Sequence, residues 1–449
     1  MSSADGVPAP RTLPQWISTS NPLYVVSAGL FLFGLRVSFG DPERDVDNWA
    51  LAAGLAFYTL LLAAAAVLLV RFAGIWNDVR TVLLLVVLMF LATSVTFDEL
   101  LVMNRPRGIA LNLFGLGFAI VLSEGILRSI RLKLPLEFKL PYHLMLALFF
   151  LYPMWLASLA RNPQSETLMW SLFAFPATAG AIFLLLLPAI RRGPELLRNN
   201  GSPWPWPFFP WSLFAFLAAA VVGRSFLVCK SFHLLDGARI TDTIYSPFFL
   251  VPFGFALVVL LLEFGIVAKS RLTTTFTLAL SMLFVLMSGI GHRDEPAYRS
   301  FLDLFLERTG AAPLLLTLAA ASVFHVYAWL RGAAFATEGL TATLAAFAFI
   351  QPESLSLSDV ALIQPAWLAL PVLFQGVLGL VKRDAWRLIA VGGVGAAWLT
   401  GVLWRLYLIL RAEVAGLDYL VASLILLPLA VLLSLAKSGA ISRWADRSR

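Results

Sequence analysis

The sequence predicts an all-α protein, a polytopic membrane helix bundle of about 14 transmembrane helices (12–14), with the N-terminus and C-terminus cytoplasmic. Three observations predict it. Hydrophobic residues make up 60% of the 449 positions and charged residues only 13%, about half the charged share of a soluble domain. A mean hydropathy of +0.84 leaves no ordinary wetted surface. Apolar runs of about 18 residues or more, long enough to cross a bilayer, recur from one end of the chain to the other. Stretches such as Leu61–Leu69 and Leu184–Leu187 lack the apolar–polar alternation of a membrane β-barrel strand.

Taken in order, residues 1–21 form a polar, proline-containing cytoplasmic segment with Arg11 as its one basic residue. The first apolar run, 22–39, has no small-residue cleavage site behind it, so it reads as a retained span and not a signal peptide. It ends in Gly34-Leu35-Arg36-Val37-Ser38-Phe39, and the acids Asp41, Glu43, Asp45 and Asp47 follow at once. A first six-helix membrane unit is expected over 22–190, a Pro/Trp-rich interfacial linker over 191–211 and a second six-helix unit over 212–381. A C-terminal helix pair (382–436) and a basic cytoplasmic tail (437–449) complete the chain. In the linker, the run from Pro203 to Trp211 alternates proline with aromatic residues. Proline cannot continue a helix, and tryptophan suits the headgroup layer. Residues 129–141 alternate basic and apolar side chains, a pattern that suits a segment lying on an anionic leaflet.

Charge gives the orientation. With the N-terminus inside, the cytoplasmic segments carry 20 of the 33 Lys and Arg residues and the opposite segments 10; Arg36, Arg224 and Arg405 stay within spans. That bias follows the positive-inside rule. The net charge of +7 is scattered over short loops, so it marks orientation and not a nucleic-acid patch. A single cysteine, Cys229, excludes an internal disulfide and a cysteine-built zinc site.

The polar residues inside this hydrocarbon are the candidates for function. Arg36, Arg224 and Arg405 are spaced by 188 and 181 residues, and each is followed by acids and a new span, a weak repeat of six-helix units. All three fall near the outer boundary. Two readings stay open: arginines that snorkel to the headgroups, or arginines converging on an outer cavity to hold an anion with their planar forks. Asp98 and Glu99 end the span 81–103 on the same side, followed by Arg105 and Arg107. They are either structural partners of these bases or a proton site, a general base or the partner of Arg36. Glu263, in the span 246–268, has no basic residue within four positions on its own helix. A lone intramembrane carboxylate is a proton-relay candidate. Glu124 has Arg128 four residues on, the spacing of an intrahelical ion pair.

The span 360–381 carries Gln364 and Gln375 three helical turns apart, on one face. Pro365 and Pro371 between them predict a broken helix lining a cavity. Thr274, Thr277, Ser281 and Ser288 form a small polar stripe suited to helix packing. Two external loops, the second between the spans 272–291 and 311–330, hold His233 with Asp236 and His292 with Asp294 and Glu295. Such short spacings mark a solvated loop before a metal site.

No phosphate-binding loop, zinc-protease, serine-hydrolase or dinucleotide motif is present. No catalytic residue and no cofactor or metal is nominated. The residues favour a secondary transporter or flippase-like carrier of an anionic or amphiphilic solute in the cell (plasma or inner) membrane. Arg36, Asp98, Glu99, Arg224, Gln364, Gln375 and Arg405 would bind substrate, and Glu263 would carry a coupling proton. An integral-membrane glycosyltransferase using a lipid-phosphate donor, with its acids among Asp41 to Asp47, and a non-catalytic scaffold or sensor stay open. The expected partners are the lipid bilayer and an anionic lipid or small anionic solute, and no nucleic acid.

Overall fold

An apolar run in a bilayer can satisfy its backbone only within itself, so a chain of such runs becomes a chain of helices. The computed structural model describes residues 22–39, 48–160, 165–197, 200–204, 208–233, 244–289, 296–347 and 363–413, with four isolated positions beyond. No strand occurs among them. Contacts divide the chain into two compact units, Met1–Leu362 and Ile363–Arg449.

The first unit begins with α1 (Leu23–Phe39) and α2 (Asn48–Leu68), which ends in a π-turn over Leu69–Ala73. Next come α3 (Asn77–Thr96), α4 (Asp98–Met103), α5 (Arg105–Ser129), α6 (Leu136–Leu159), α7 (Glu166–Leu184) and α8 (Leu187–Arg192). Beyond the linker lie α9 (Phe208–His233), α10 (Val251–Val267), α11 (Arg271–Gly289), α12 (Pro296–Thr309), α13 (Pro313–Leu330) and α14 (Ala336–Phe347). Successive helices pack as neighbours in α2–α3, α5–α6, α6–α7, α10–α11 and α13–α14, while α7 also packs on α10 and α9 runs against α3, α6 and α7. Phenylalanine fills the centre. Phe183 of α7 meets Phe253 of α10 edge-on at 5.3 Å between ring centroids, and Phe138 of α6 meets Trp211 of α9 at 5.7 Å. Such edge contacts suit the charge distribution of the rings.

Nine helical segments among the described residues are long and apolar enough to cross a membrane, and Leu23–Leu35 and Ala369–Lys382 are shorter apolar stretches. The architecture is therefore an all-helical bundle of membrane-like helices. One element differs from expectation. The connection expected between the spans 272–291 and 311–330 contains α12, an amphipathic helix. Its Tyr298, Phe301 and Phe305 are buried, and Phe301 and Phe305 stack among Trp170, Phe173, Phe248 and Phe249. Arg308, on its last turn, donates to Glu166 at 2.8 Å, and that hydrogen bond pushes the arginine's pKa up. α14 is described over Ala336–Phe347, within the stretch 332–350 expected to form a span.

Two glycines show how closely helices approach. A Cβ on Gly339 of α14 would lie 2.2 Å from the His325 ring of α13, and one on Gly108 of α5 would lie 2.7 Å from the Leu101 backbone of α4.

The second unit pairs α15 (Ile363–Lys382) with α16 (Ala385–Glu413). The helix expected to break over 360–381 runs unbroken through Pro371. Pro365 falls in the first turn, where an N–H would have no partner in any case. Only Pro371 removes a bond from the ladder, and one lost donor does not end a membrane helix. The expected span 418–436 lies outside the described residues, apart from isolated positions.

Candidate functional site

Two clusters of buried charge stand at opposite ends of the first unit. The one at the C-terminal end of α3 joins α4 to α9. Arg224 of α9 turns both terminal nitrogens onto the Asp98 carboxylate, with Nη2 donating to Oδ1 at 2.8 Å and Nη1 donating to Oδ2. Nη2 also donates to the Ser94 carbonyl at 3.1 Å. That carbonyl belongs to the last turn of α3, where helical acceptors lack intrahelical partners. The two side chains are 1% and 2% exposed. The result is a dry, bidentate, neutral pair, the strongest geometry available to arginine and carboxylate.

The other cluster gathers on Glu263 of α10, whose side chain is 0% exposed. Arg331, which caps α13, donates from Nε to Oε1 at 2.7 Å and from Nη2 to Oε2 at 2.9 Å. Arg191, at the end of α8, donates from Nε to Oε2 at 3.2 Å and from Nη2 to the Tyr327 hydroxyl, also at 3.2 Å. The Tyr327 hydroxyl in turn donates to Oε1. The Arg191 and Arg331 side chains remain 51% and 38% exposed. Two guanidiniums share one carboxylate, so this cluster keeps one positive charge in excess and turns it outward.

An apolar cavity of about 580 Å³ lies among α7, α8, α9 and α10. Its walls include Phe183 of α7, Ile190 of α8, Phe214 and Ala218 of α9, and Leu257 and Phe264 of α10. The volume is in the usual range of small-ligand sites. Ile190 and Phe264 are the chain neighbours of Arg191 and Glu263, so the cavity reaches the end of the bundle that holds the charged cluster.

The remaining sequence candidates divide as follows. Asp98 and Arg224 come together as each other's partner, so the expectation that Arg36 answers Asp98 gives way to Arg224. Glu99 is exposed beside them. Arg36 lies in α1, Gln364 in α15 and Arg405 in α16; their side chains fall outside the described residues. Gln375, in the second unit, accepts a hydrogen bond from Arg387 Nη1 at 3.2 Å, and Arg387 also pairs with Asp384 at 3.0 Å. Glu124 takes Lys139 of α6 as its partner at 2.8 Å, with His143 at 3.4 Å, in place of the expected Arg128. The polar stripe on α11 is a helix contact: Ser281 hydrogen-bonds His325 at 3.1 Å and Ser288 hydrogen-bonds Thr317 at 2.8 Å. Asp41, Glu43, Asp45 and Asp47 lie outside the described residues, as do the side chains of His233, His292 and their acidic neighbours. Among the described residues, no group of three or more His, Cys, Asp and Glu could hold a metal ion.

Arg191, Tyr327 and Arg331 were not nominated from sequence. Arg191 and Arg331 counted only as orientation charges. The signal was indirect, a carboxylate with no partner on its own helix and arginines at the ends of two other spans on the same side.

No protein family, curated protein or solved structure matches this chain. Fold and site together define it as an all-helical protein of membrane-bundle type, with one sealed ion pair and one charge-excess cluster.

Proposed function

We propose that the protein is a secondary transporter or flippase-like carrier of an anionic amphiphile, embedded in the cell membrane with about 14 spans and both termini cytoplasmic. One observation carries the reading. The apolar cavity is walled by α9 and α10, and each of these helices also holds a buried charge, Arg224 on α9 and Glu263 on α10. A movement of α9 against α10 would therefore change the cavity and a charged cluster together. The bias of 20 basic residues against 10 assigns the Glu263 end to the cytoplasm and the Asp98 end to the opposite face.

In this account the described conformation is closed at the Asp98–Arg224 end. The pair spends the charge of Arg224 on Asp98, so an anionic headgroup can use Arg224 only after Asp98 lets go. At the other end, Glu263 is the coupling group. A proton taken up on its carboxylate removes the countercharge of Arg191 and Arg331 and leaves two guanidiniums for an anion. Loss of that proton restores the ion pairs and expels the anion. Arginine at depth lowers the cost of carrying a negative group across hydrocarbon, and charged groups within spans mark ion and substrate paths in membrane proteins as a class.

The test uses the full chain in phosphatidylcholine vesicles that contain a trace of headgroup-labelled anionic lipid. Wild-type protein is expected to expose label from the inner leaflet faster than protein-free vesicles, at a rate that follows an imposed pH gradient. Equal rates with and without protein would contradict a carrier.

A further inference from the structure

We infer that the Arg191–Glu263–Arg331 cluster is the headgroup site for an anionic phospholipid of the bilayer, with one acyl chain of that lipid in the apolar cavity below it. The inference deepens the carrier reading by naming the substrate class, and it rests on that reading for its role in transport though not for the binding itself.

Each arginine has donors left to give. Arg331 uses Nε and Nη2 on Glu263, and Arg191 uses Nε and Nη2 on Glu263 and Tyr327. The Nη1 group of each donates to nothing among the described residues. Both side chains are about half open to their surroundings. Glu263 fixes both forks on one carboxylate, so the two guanidiniums are held together at no further ordering cost. The excess positive charge asks for one anion, and a phosphate oxygen suits a guanidinium edge.

The cavity supplies the second half. Its lining runs from Phe183 to Ile190, from Trp211 to Ala218 and from Leu257 to Phe264. Each stretch covers eight residues, a rise of about 10 Å along the bundle. At the shallow end, Ile190 and Phe264 are the chain neighbours of Arg191 and Glu263, and the walls run from there toward the middle of their helices. A soluble anion would use the arginines and leave the cavity unfilled. A neutral lipid would fill the cavity and leave the excess charge unanswered. A lipid with a single net negative charge, phosphatidylglycerol for instance, satisfies both.

Trp211 lines the cavity and provides the readout. The full chain is reconstituted in phosphatidylcholine nanodiscs, and phosphatidylglycerol or phosphatidylcholine with brominated acyl chains is titrated in. Quenching assigned to Trp211 is the part that disappears in Trp211→Phe. Brominated phosphatidylglycerol is expected to quench at lower mole fraction than brominated phosphatidylcholine. Arg191→Gln and Arg331→Gln are each expected to weaken that preference about fivefold, the effect of one basic residue at an anionic surface. Ala218→Phe, which fills the cavity, is expected to remove the Trp211 quenching by both lipids. Circular dichroism and elution volume verify that each variant is folded. Equal quenching by the two lipids in wild-type protein, or a preference unchanged in both arginine variants, would overturn the inference and leave the carrier reading standing. Loss of the preference on adding millimolar inorganic phosphate would reassign the site to a soluble anion, and would also overturn it. Preferential quenching without any transport would support the site and count against the carrier.

Discussion

The two buried clusters use the same chemistry and differ in stoichiometry and in wetting. At Asp98 one arginine meets one carboxylate, both are sealed and the charges cancel. At Glu263 two arginines meet one sealed carboxylate, and their outer edges stay open. A neutral sealed pair can hold helices together, and it can bind an anion only by coming apart. A cluster with excess charge and open donors can bind without first breaking. On the proposed carrier reading, the first cluster serves closure and the second recognition.

The largest expected effect comes from unbalancing the sealed pair. Asp98→Ala leaves Arg224 as a buried, uncompensated charge and is expected to cost about 3–5 kcal/mol, measured by denaturation of the detergent-solubilised protein. Replacing Asp98 and Arg224 together with Leu and Met is expected to recover most of that loss, because apolar packing can replace a buried ion pair. The double variant should fold and still fail to carry an anion, since the closed end would have no arginine to offer. A double variant as unstable as the single one would break the comparison.

Glu263→Gln comes next. It disturbs more hydrogen bonds than Asp98→Ala, yet it is expected to cost only about 1.5–3 kcal/mol, the usual worth of hydrogen bonds to a charged group. Arg191 and Arg331, at 51% and 38% exposure, are far less buried than Arg224 and are not sealed in when the carboxylate is lost. A loss larger than that of Asp98→Ala would show the wetting argument to be wrong. The smallest effect is expected at the Arg308–Glu166 pair, where both side chains are mostly exposed. Arg308→Ala is expected to leave stability nearly unchanged in the same measurement, which sets the scale for a fully exposed pair.

Sequence reasoning reached the helices more easily than the clusters, for a physical reason. The apolar runs report burial directly, so α1 to α11 and α13 to α16 each fall on an expected span or at its edge. The amphipathic α12 was missed because only one face of it is apolar; the spacing of Tyr298, Phe301, Leu302 and Phe305 was the available sign. An ion pair between helices carries no such local mark. Arg224 and Asp98 are 126 residues apart, and Arg191 and Glu263 are 72 apart. Each looks unpaired on its own helix. Sequence could say that these charges needed partners, and only the packing of α9 on α3 and of α8 and α13 on α10 says which.

The most direct test of the account is the effect of Glu263→Gln on gradient-driven movement of labelled phosphatidylglycerol in vesicles. The account predicts that wild-type protein responds to the pH gradient and that the folded variant moves lipid at one rate whatever the gradient. A variant that follows the gradient as wild-type protein does would remove Glu263 as the coupling group and contradict the account.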